Sequence, residues 1–153
     1  MIREATPEDL DQIFELWCDL MDLHQHHHPV FSYNPDATEA LKSELGKRLQ
    51  DSTTRCVVAE EDEQVVGFLI ASFRIVPCSH TYHRKGYIGE TTVRENYRDK
   101  GFGHLLFDAA KAWLTGLGAD HVELQVSPQN KGAIRFWEKK GFTQSTQHMV
   151  LTL

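Results

Sequence analysis

The sequence predicts a mixed α/β fold in which helices cover both faces of one sheet, within a single domain at residues 1–153. Two observations predict it. Apolar residues recur at three- and four-residue steps in some segments and alternate with polar residues in others, so helices and strands are interspersed along the chain. No repeat, low-complexity tract or long linker divides the sequence, and its length suits one hydrophobic core.

The first half of the chain predicts a strand, two helices and a hairpin. Thr6 is a suitable N-cap, Pro7 is a suitable first helical residue, and the apolar stripe that follows extends to Met21. Histidines and prolines then interrupt the periodicity, which favours a loop. The predicted elements are a strand at 1–5, a helix beginning after Thr6, a loop at 23–35, a helix at 36–50, and antiparallel strands at 55–60 and 64–75.

The second half predicts alternating strands and helices. Gly118 and Gly141 stand where a glycine commonly ends a helix, and the residues after Gly118 switch to the two-residue period of a strand. The predicted elements are a loop at 76–84, a strand at 86–94, a helix at 101–117, a strand at 121–126, a helix at 130–140 and a strand at 148–153. The complete order is β-α-α-β-β-β-α-β-α-β, which indicates a mixed sheet.

Charge and cysteine content narrow the class of protein. Sixteen basic residues against twenty-two acidic ones leave a formal charge of −6, and no basic block stands out. Nucleic acid and anionic membranes are therefore not expected partners, because both need a concentrated basic surface. The three widely spaced cysteines form no CxxC pair, which indicates neither a disulfide framework nor a zinc finger. Without an apolar spanning run or a leader pattern, a cytoplasmic location is expected.

A glycine-bearing loop joins the strand at 86–94 to the next helix. It reads Arg98-Asp99-Lys100-Gly101-Phe102-Gly103-His104. Glycines let a backbone approach a ligand closely, and the free amides at a helix N-terminus bind anions such as phosphate. A tight turn explains the two glycines equally well. The loop lacks the Gly-Lys-Ser/Thr of a Walker motif and the third glycine of a dinucleotide fingerprint.

Two motifs together resemble a known family. The first is Arg98-x-x-Gly101-x-Gly103 after a strand, and the second is Asn130-x-x-Ala133-x-x-Phe136-Trp137 with Gly141-Phe142 after it. Both motifs, their separation by a helix and a strand, and the order of elements over essentially the whole chain resemble the GNAT superfamily of N-acetyltransferases. The resemblance implies a central sheet that splays open.

The resemblance implies acetyl-coenzyme A as the acetyl donor. Its pyrophosphate is expected on the amides of residues 100–104 with help from Arg98, and its pantetheine between residues 92–94 and 125–127. Core packing at helical spacing also explains Phe136 and Trp137, and for Phe136 it is the larger part of the explanation. The expected cofactor-binding residues are Thr92, Val93, Arg94, Arg98, Asp99, Lys100, Gly101, Phe102, Gly103, His104, Asn130, Ala133, Phe136 and Trp137.

Transfer to an amine needs a base and an oxyanion donor. An ammonium cannot attack a thioester until it loses a proton, and the tetrahedral oxyanion needs a donor such as a backbone amide. The family often supplies the base from the strand before the loop, where Glu90 lies three residues before Val93. Glu90 and Val93 are therefore the catalytic candidates, and Glu123 on the neighbouring strand is the second choice of base. An ion pair or a solvent-facing position explains Glu90 equally well.

Trp137 departs from the family pattern. Many relatives carry a tyrosine there, whose phenol can protonate the departing thiolate, whereas an indole N–H is not a usable acid. Ser127, Tyr97 or water is left to supply the proton, or the thiolate leaves unprotonated. The departure also motivates an alternative, a non-catalytic module of the same fold that binds acyl-coenzyme A or another partner.

Four histidines precede the second predicted helix, at His24, His26, His27 and His28. Four imidazoles within five loop residues cannot all converge on one ion, so no metal is expected. In the family this segment borders the acceptor site, although a mobile surface loop is an equally good interpretation. The expected substrate-binding residues are His27, His28, Phe31 and Glu123.

The acceptor class is less closely defined than the donor. Family members modify small amines and peptide amines, and the acidic balance of this chain slightly favours a small cationic amine. Small domains of the superfamily often self-associate, so a homodimer is expected, although no segment of the sequence identifies its interface.

Overall fold

The computed structural model describes all 153 residues. Its strands are β1 (Ile2–Glu4), β2 (Thr54–Glu61), β3 (Gln64–Ile75), β4 (Arg84–Val93) and β5 (His121–Leu124), and its helices are α1 (Leu10–His27), α2 (Thr38–Leu49), α3 (Phe102–Gly116) and α4 (Lys131–Lys139). The strands form one sheet in the order β1-β2-β3-β4-β5. The first four pair antiparallel, and β5 lies parallel to β4. The predicted mixed α/β class is confirmed.

Helices cover both faces of the sheet because β2 and β3 are apolar on both sides. Phe68 and Ile70 pack with α1 and α2 on one face, whereas Leu69 and Ala71 pack with α3 and Trp137 of α4 on the other. Alternate residues of a strand point to opposite faces, so the continuous apolar run of β3 supplies both clusters. Both α1 and α3 contact β4, and the site described below lies at this strand.

The start of α1 is fastened to the sheet by a buried carboxylate. Asp9 is 5% exposed and accepts two hydrogen bonds from the Arg3 guanidinium, at 2.7 and 2.9 Å. It also accepts from the backbone amide of Thr6 at 2.7 Å. Hydrogen bonding to Arg3 lowers the pKa of Asp9 against the opposing effect of burial. Arg3 lies on β1, so this cluster joins the edge of the sheet to the first helix.

The sheet opens between β4 and β5. Their parallel pairing ends at Ile88 and Leu124, but β4 continues to Val93, paired only with β3. A bulge in the β3–β4 pairing places Gly89 and Glu90 opposite Ile70, and a bulge bends and twists its strand. The expected splay is therefore present, and one edge of residues 89–93 faces an opening.

Three predicted elements differ from the structure. Residues 23–27 belong to α1 rather than to the predicted loop. Their polar side chains give no apolar periodicity, and the helix breaks only at His28, before Pro29. The strand predicted at 121–126 ends at Leu124. The strand predicted at 148–153 is wrong: residues 143–153 have no regular secondary structure, because no neighbouring strand pairs with them. None of the helices has the length and apolar character needed to cross a membrane.

We expect Asp9→Ala to lower the free energy of unfolding by about 2 kcal/mol, since hydrogen bonds to charged groups contribute about 1.5–3 kcal/mol. Because the pKa of Asp9 is lowered in the folded state, the loss is present at neutral pH and shrinks as the pH falls through that pKa. Urea unfolding measures both effects. Asp11→Ala is the matched control, because Asp11 is 79% exposed; an equal loss in both variants contradicts the assignment.

The two loop glycines are expected to respond oppositely to alanine. Gly101 precedes α3 with φ +87°, a left-handed conformation that costs a non-glycine residue about 1–2 kcal/mol. An added Cβ at Gly103 meets Phe136 at 3.4 Å, an ordinary contact, and glycine disfavours helix relative to alanine. Gly101→Ala should therefore destabilise the protein, whereas Gly103→Ala should leave it unchanged or slightly more stable in urea unfolding. Equal destabilisation by both substitutions contradicts this view of the loop.

Candidate active site

The chain turns sharply between β4 and α3. A single 3-10 turn at Glu95–Tyr97 is followed by positive φ angles at Asp99 (60°) and Gly101 (87°). The first α-type bond of α3 runs from the Leu105 amide to the Gly101 carbonyl at 3.2 Å. The amides of residues 102–104 precede that bond at the helix start, where backbone N–H groups lack intrahelical acceptors and the helix dipole is positive. This geometry can bind an anion.

Two cationic side chains flank these amides. The Arg98 Nε donates to the Val93 carbonyl at 3.1 Å, which ties the side chain back across the turn. This is its single hydrogen bond within the chain, so its terminal N–H groups have no protein acceptor. The Lys100 ammonium lies 4.7 Å from the centre of the Tyr97 ring. The loop therefore carries two cations against the one carboxylate of Asp99 next to the helix start, although the whole chain is acidic.

The opening between β4 and β5 exposes backbone groups of β4. The Arg94 amide donates to Val66 on β3 at 2.7 Å. Successive amides of a strand point to opposite edges, so the Val93 amide points away from β3 and into the opening. The Arg94 carbonyl accepts from Tyr97, and its side chain donates to Glu15. Val93 thus keeps a free donor at the opening, whereas the Arg94 backbone is occupied within the chain.

The second motif has a structural basis at the start of α4. The Asn130 side chain accepts a hydrogen bond from the Ala133 amide at 3.1 Å, which is N-capping of that helix. Phe136 lies against the loop, with its ring 5.0 Å from that of His104. Trp137 is 8% exposed and belongs to the core cluster. The sequence favoured core packing for Phe136, and its ring does pack against the core cluster, 4.8 Å from the Trp137 ring; it also contacts the loop, whereas Trp137 lies within the core.

Glu90 is held by an arginine from the second helix. Both Glu90 carboxylate oxygens accept from the Arg48 guanidinium at 2.7 Å, and the Glu90 side chain is 17% exposed. Burial alone raises the pKa of Glu90, but the hydrogen bonds and charge of Arg48 outweigh it, so the pKa lies below its usual value. A hydrogen bond with Trp17 acts in the same direction. Glu90 is therefore an ionised and well-oriented carboxylate.

Glu123, the second candidate base, is also paired. It accepts from the Lys85 ammonium at 2.8 Å and lies 2.8 Å from the His121 Nε2. The other nitrogen of that ring lies 2.6 Å from Asp120. Hydrogen bonding to Lys85 lowers the pKa of Glu123, while the bond with Asp120 raises that of His121. This cluster lies at the start of β5, where Glu123 pairs with Tyr87, three residues along β4 from Glu90.

The histidines lie at the end of α1, which packs against β4. The His24 ring is 6.3 Å from His27 and 5.7 Å from Phe31, and His28 lies 6.5 Å from Phe31. Burial and the neighbouring His27 lower the pKa of His24, although the negative charge of Glu90 opposes this shift. The expected acceptor contacts therefore share one aromatic cluster. No group of three or more metal-ligating side chains is placed to hold an ion.

Sequence reasoning missed three residues of this region. Arg48 and Trp17 contact Glu90 from two different helices, and His24 lies near enough to Glu90 to respond to its charge. Arg48 lies 42 positions from Glu90 in the sequence, and no local motif predicts such a pair. His24 was noted as one of the four histidines. Because a loop was predicted there, its spacing of three residues from His27, which places both side chains on one helix face, was not considered.

Curated relatives of this chain are N-acetyltransferases. One is an N-alpha-acetyltransferase of Sulfurisphaera tokodaii, 31% identical over 64% of this chain and 62% of its own length. The match therefore spans just under two thirds of that relative. Another is an aminoalkylphosphonate N-acetyltransferase of Salmonella typhimurium, 25% identical over 94% of this chain and 85% of its own length.

A solved structure shares the fold of this chain, and a family model matches most of its length. A tetramutant protein of Bacillus halodurans is 25% identical, with a TM-score of 0.88 over 100% of this chain and 99% of that chain. The model of the acetyltransferase (GNAT) family matches residues 11–142, which include both motifs and the loop between β4 and α3. This chain belongs to the GNAT family of acetyltransferases.

Proposed function

We propose that this protein transfers an acetyl group from acetyl-coenzyme A to a primary amine by direct attack on the thioester. The observation that carries the proposal is the continuity of the β4 edge: the strand leaves β5 after Ile88, passes Glu90, and ends at the anion-binding start of α3. Three residues separate Glu90 from Val93, or about 10 Å of extended strand. One substrate can therefore lie along this edge with its anionic end at the helix and its reacting end near Glu90.

The donor would be held mainly by backbone groups. Its pyrophosphate would accept from the amides of residues 102–104, with Arg98 and Lys100 adding positive charge. Its extended pantetheine would lie in the opening beside residues 92–94 and 125–127, where β4 has an unpaired edge. The Phe136 ring packs against His104 at the end of the loop. Asn130 and Ala133 would act indirectly, by fixing the helix that carries Phe136.

Glu90 would act on the amine. An ammonium acceptor pairs with the ionised carboxylate, and a water molecule relays the proton that the amine loses. The free amine attacks the thioester carbon, the oxyanion accepts a hydrogen bond from the Val93 amide, and collapse of the intermediate releases an amide and the thiolate of coenzyme A. Trp137 is buried and has no acid proton to offer, so water, Ser127 or Tyr97 would protonate the thiolate.

The acceptor would enter between the α1 end and β4. His27, His28 and Phe31 would contact its carbon skeleton, and Glu90 and Glu123 would attract its positive charge. This combination suits a small cationic amine, and a peptide amine is the other class to test. We also propose a cytoplasmic site of action, since three cysteines without disulfides suit a reducing compartment. A homodimer is proposed from the resemblance to the family.

Donor binding should depend on Arg98. Loss of a charge-assisted hydrogen bond costs about 1.5–3 kcal/mol, so Arg98→Gln should raise the Kd for acetyl-coenzyme A about tenfold or more. Isothermal titration measures it. Lys111→Gln is the control, because it removes the same charge from the middle of α3 and should leave the Kd unchanged. No binding by the unaltered protein at about 100 μM, a concentration where a ligand held by about −5.5 kcal/mol is half bound, contradicts the proposal.

Turnover should depend on Glu90, and its pH profile on Arg48. Glu90→Gln should lower kcat/KM about 10²-fold or more, as loss of a general base does. Arg48→Gln removes the strongest effects that lower the pKa of Glu90, so the effect of burial then gains weight, the pKa rises and the acidic limb of kcat/KM should move to higher pH. Coenzyme A release across an amine panel measures both effects. Lys42→Gln, on the same helix but paired with Asp11, should leave the limb in place.

Two outcomes contradict this role. If acetyl-coenzyme A binds but no amine of the panel releases coenzyme A, the chain is a non-catalytic binding module. If release is normal in Glu90→Gln, another group is the base.

A further inference from the structure

The face of β4 and β5 that points away from α3 is polar. The register places Lys85 beside His121 and Tyr87 beside Glu123, whereas the intervening apolar residues of both strands pack with α3 in the core. Glu90 lies on the polar face, because α2 covers that face and holds its carboxylate. Burial raises the pKa of Tyr87, and the charges of Glu90 and Glu123 add to that shift. Tyr87 therefore stands between two carboxylates that share one surface.

His121 bridges two carboxylates through its two ring nitrogens. Nδ1 lies 2.6 Å from Asp120, and Nε2 lies 2.8 Å from Glu123. A neutral imidazole carries one N–H and can donate to one carboxylate, whereas an imidazolium donates to both. The two contacts together therefore require the protonated ring. Hydrogen bonding to Asp120, and less strongly to Glu123, accordingly raises the pKa of His121 against the effect of burial.

Asp120 is held in place independently of the imidazole. Its other oxygen accepts from the backbone amides of His83 and Arg84, each at 3.0 Å. The His83 ring lies 4.0 Å from that oxygen, and the Arg84 guanidinium donates to two carbonyls at the end of α3. Loss of the imidazolium proton therefore leaves Asp120 with two of its hydrogen bonds.

Glu123 depends more strongly on the imidazole. One of its oxygens accepts from Lys85 at 2.8 Å, and the other has His121 as its hydrogen-bond partner. The Glu123 side chain is 46% exposed, so an oxygen released by the imidazole is open to a ligand. The Tyr82 ring, which meets the imidazole edge-on at 5.9 Å between ring centres, brings no charge.

The charges of this cluster balance only while His121 is protonated. Two carboxylates, Asp120 and Glu123, then face two cations, Lys85 and His121. When the imidazolium loses its proton, the cluster carries one net negative charge. A ligand cation at Glu123 restores the balance.

We infer that His121 is a proton switch on the acceptor side of the site: while protonated it occupies Glu123, and on losing its proton to water it releases Glu123 to a second cationic group of the acceptor. The inference rests on the proposed function, which makes this surface the acceptor side. One proton leaves the imidazole and one ammonium takes its place. Because such linkage is reciprocal, a ligand cation at Glu123 lowers the pKa of His121.

Selectivity for a second cation should therefore rise with pH. Below the pKa of His121 the imidazolium competes with the ligand for Glu123, and above it the competition ends. Aliphatic amines have a pKa of about 10, so they remain charged over most of this range.

A proton NMR titration of the His121 ring tests the switch in the free protein. The midpoint should lie above the ordinary value of about 6.5, and it should fall in Glu123→Gln and in Asp120→Asn, because each removes a carboxylate from the ring. Asp108→Asn is the matched control, since Asp108 pairs with Lys140 and should leave the midpoint in place. A midpoint at or below the ordinary value, or one that Glu123→Gln does not change, overturns the switch.

A pair of amines tests the release of Glu123. Nine bonds separate the nitrogens of 1,8-diaminooctane, as many as in the three residues of backbone between Tyr87 and Glu90, and n-octylamine lacks the second cation. Isothermal titration with coenzyme A present should show the Kd of the diamine falling about threefold relative to that of octylamine from pH 6 to pH 9, the size expected of a partly exposed ion pair. This change should vanish in His121→Gln, which is neutral at every pH. It should persist in His26→Gln, which removes an exposed histidine of α1.

The titration separates a failed switch from a failed function, because it needs no acetyl transfer. If amines release coenzyme A but the ratio of the two Kd values is the same at both pH values, the switch is overturned and the proposed function stands. If no amine releases coenzyme A but the diamine still gains affinity with pH, the function fails and the switch stands. No preference for the diamine at pH 9, or a pH dependence that persists in His121→Gln, also overturns the switch.

Discussion

The parting of β4 from β5 after Ile88 is the feature on which the rest of the site depends. Up to that point β4 is an interior strand, and beyond it one edge carries free backbone groups. The bulge at residues 89 and 90 turns the strand at the same point. Because β4 then ends at the start of α3, the free edge leads directly to the helix amides. A continuous sheet would occupy that edge with hydrogen bonds and leave an extended substrate nowhere to lie.

Two arginines from distant parts of the chain give the site its charges. Arg98, in the loop, brings positive charge to the helix start, where an acidic chain would otherwise repel an anionic substrate. Arg48, on α2, neutralises and orients Glu90 at the other end of the free edge. A carboxylate held in this way has low proton affinity, so in the proposed reaction it would bind the cation and pass its proton on through water. Local contacts, rather than the overall charge of −6, thus decide what binds at each end.

Local patterns predicted the elements that depend on local rules. Apolar periodicity indicated the four helices, and the glycines placed the loop at the end of β4. The bidentate pair of Arg48 and Glu90 could not be predicted from local patterns, because its two residues lie 42 positions apart in the sequence. The end of α1 was misjudged because its last turn is made of polar residues and therefore shows no apolar periodicity. The strand predicted near Leu151 has the right alternation but no neighbour within the chain, since strand formation needs a partner as well as a pattern.

The central claim is that the free edge of β4 and the start of α3 together hold acetyl-coenzyme A. A crystal structure of the protein with coenzyme A tests it most directly. The account predicts pyrophosphate oxygens about 3 Å from the amides of residues 102–104, with the thiol end in the opening beside Val93 and facing Glu90. Coenzyme A bound on another surface, or β4 and β5 paired along their full length with the opening closed, would contradict it.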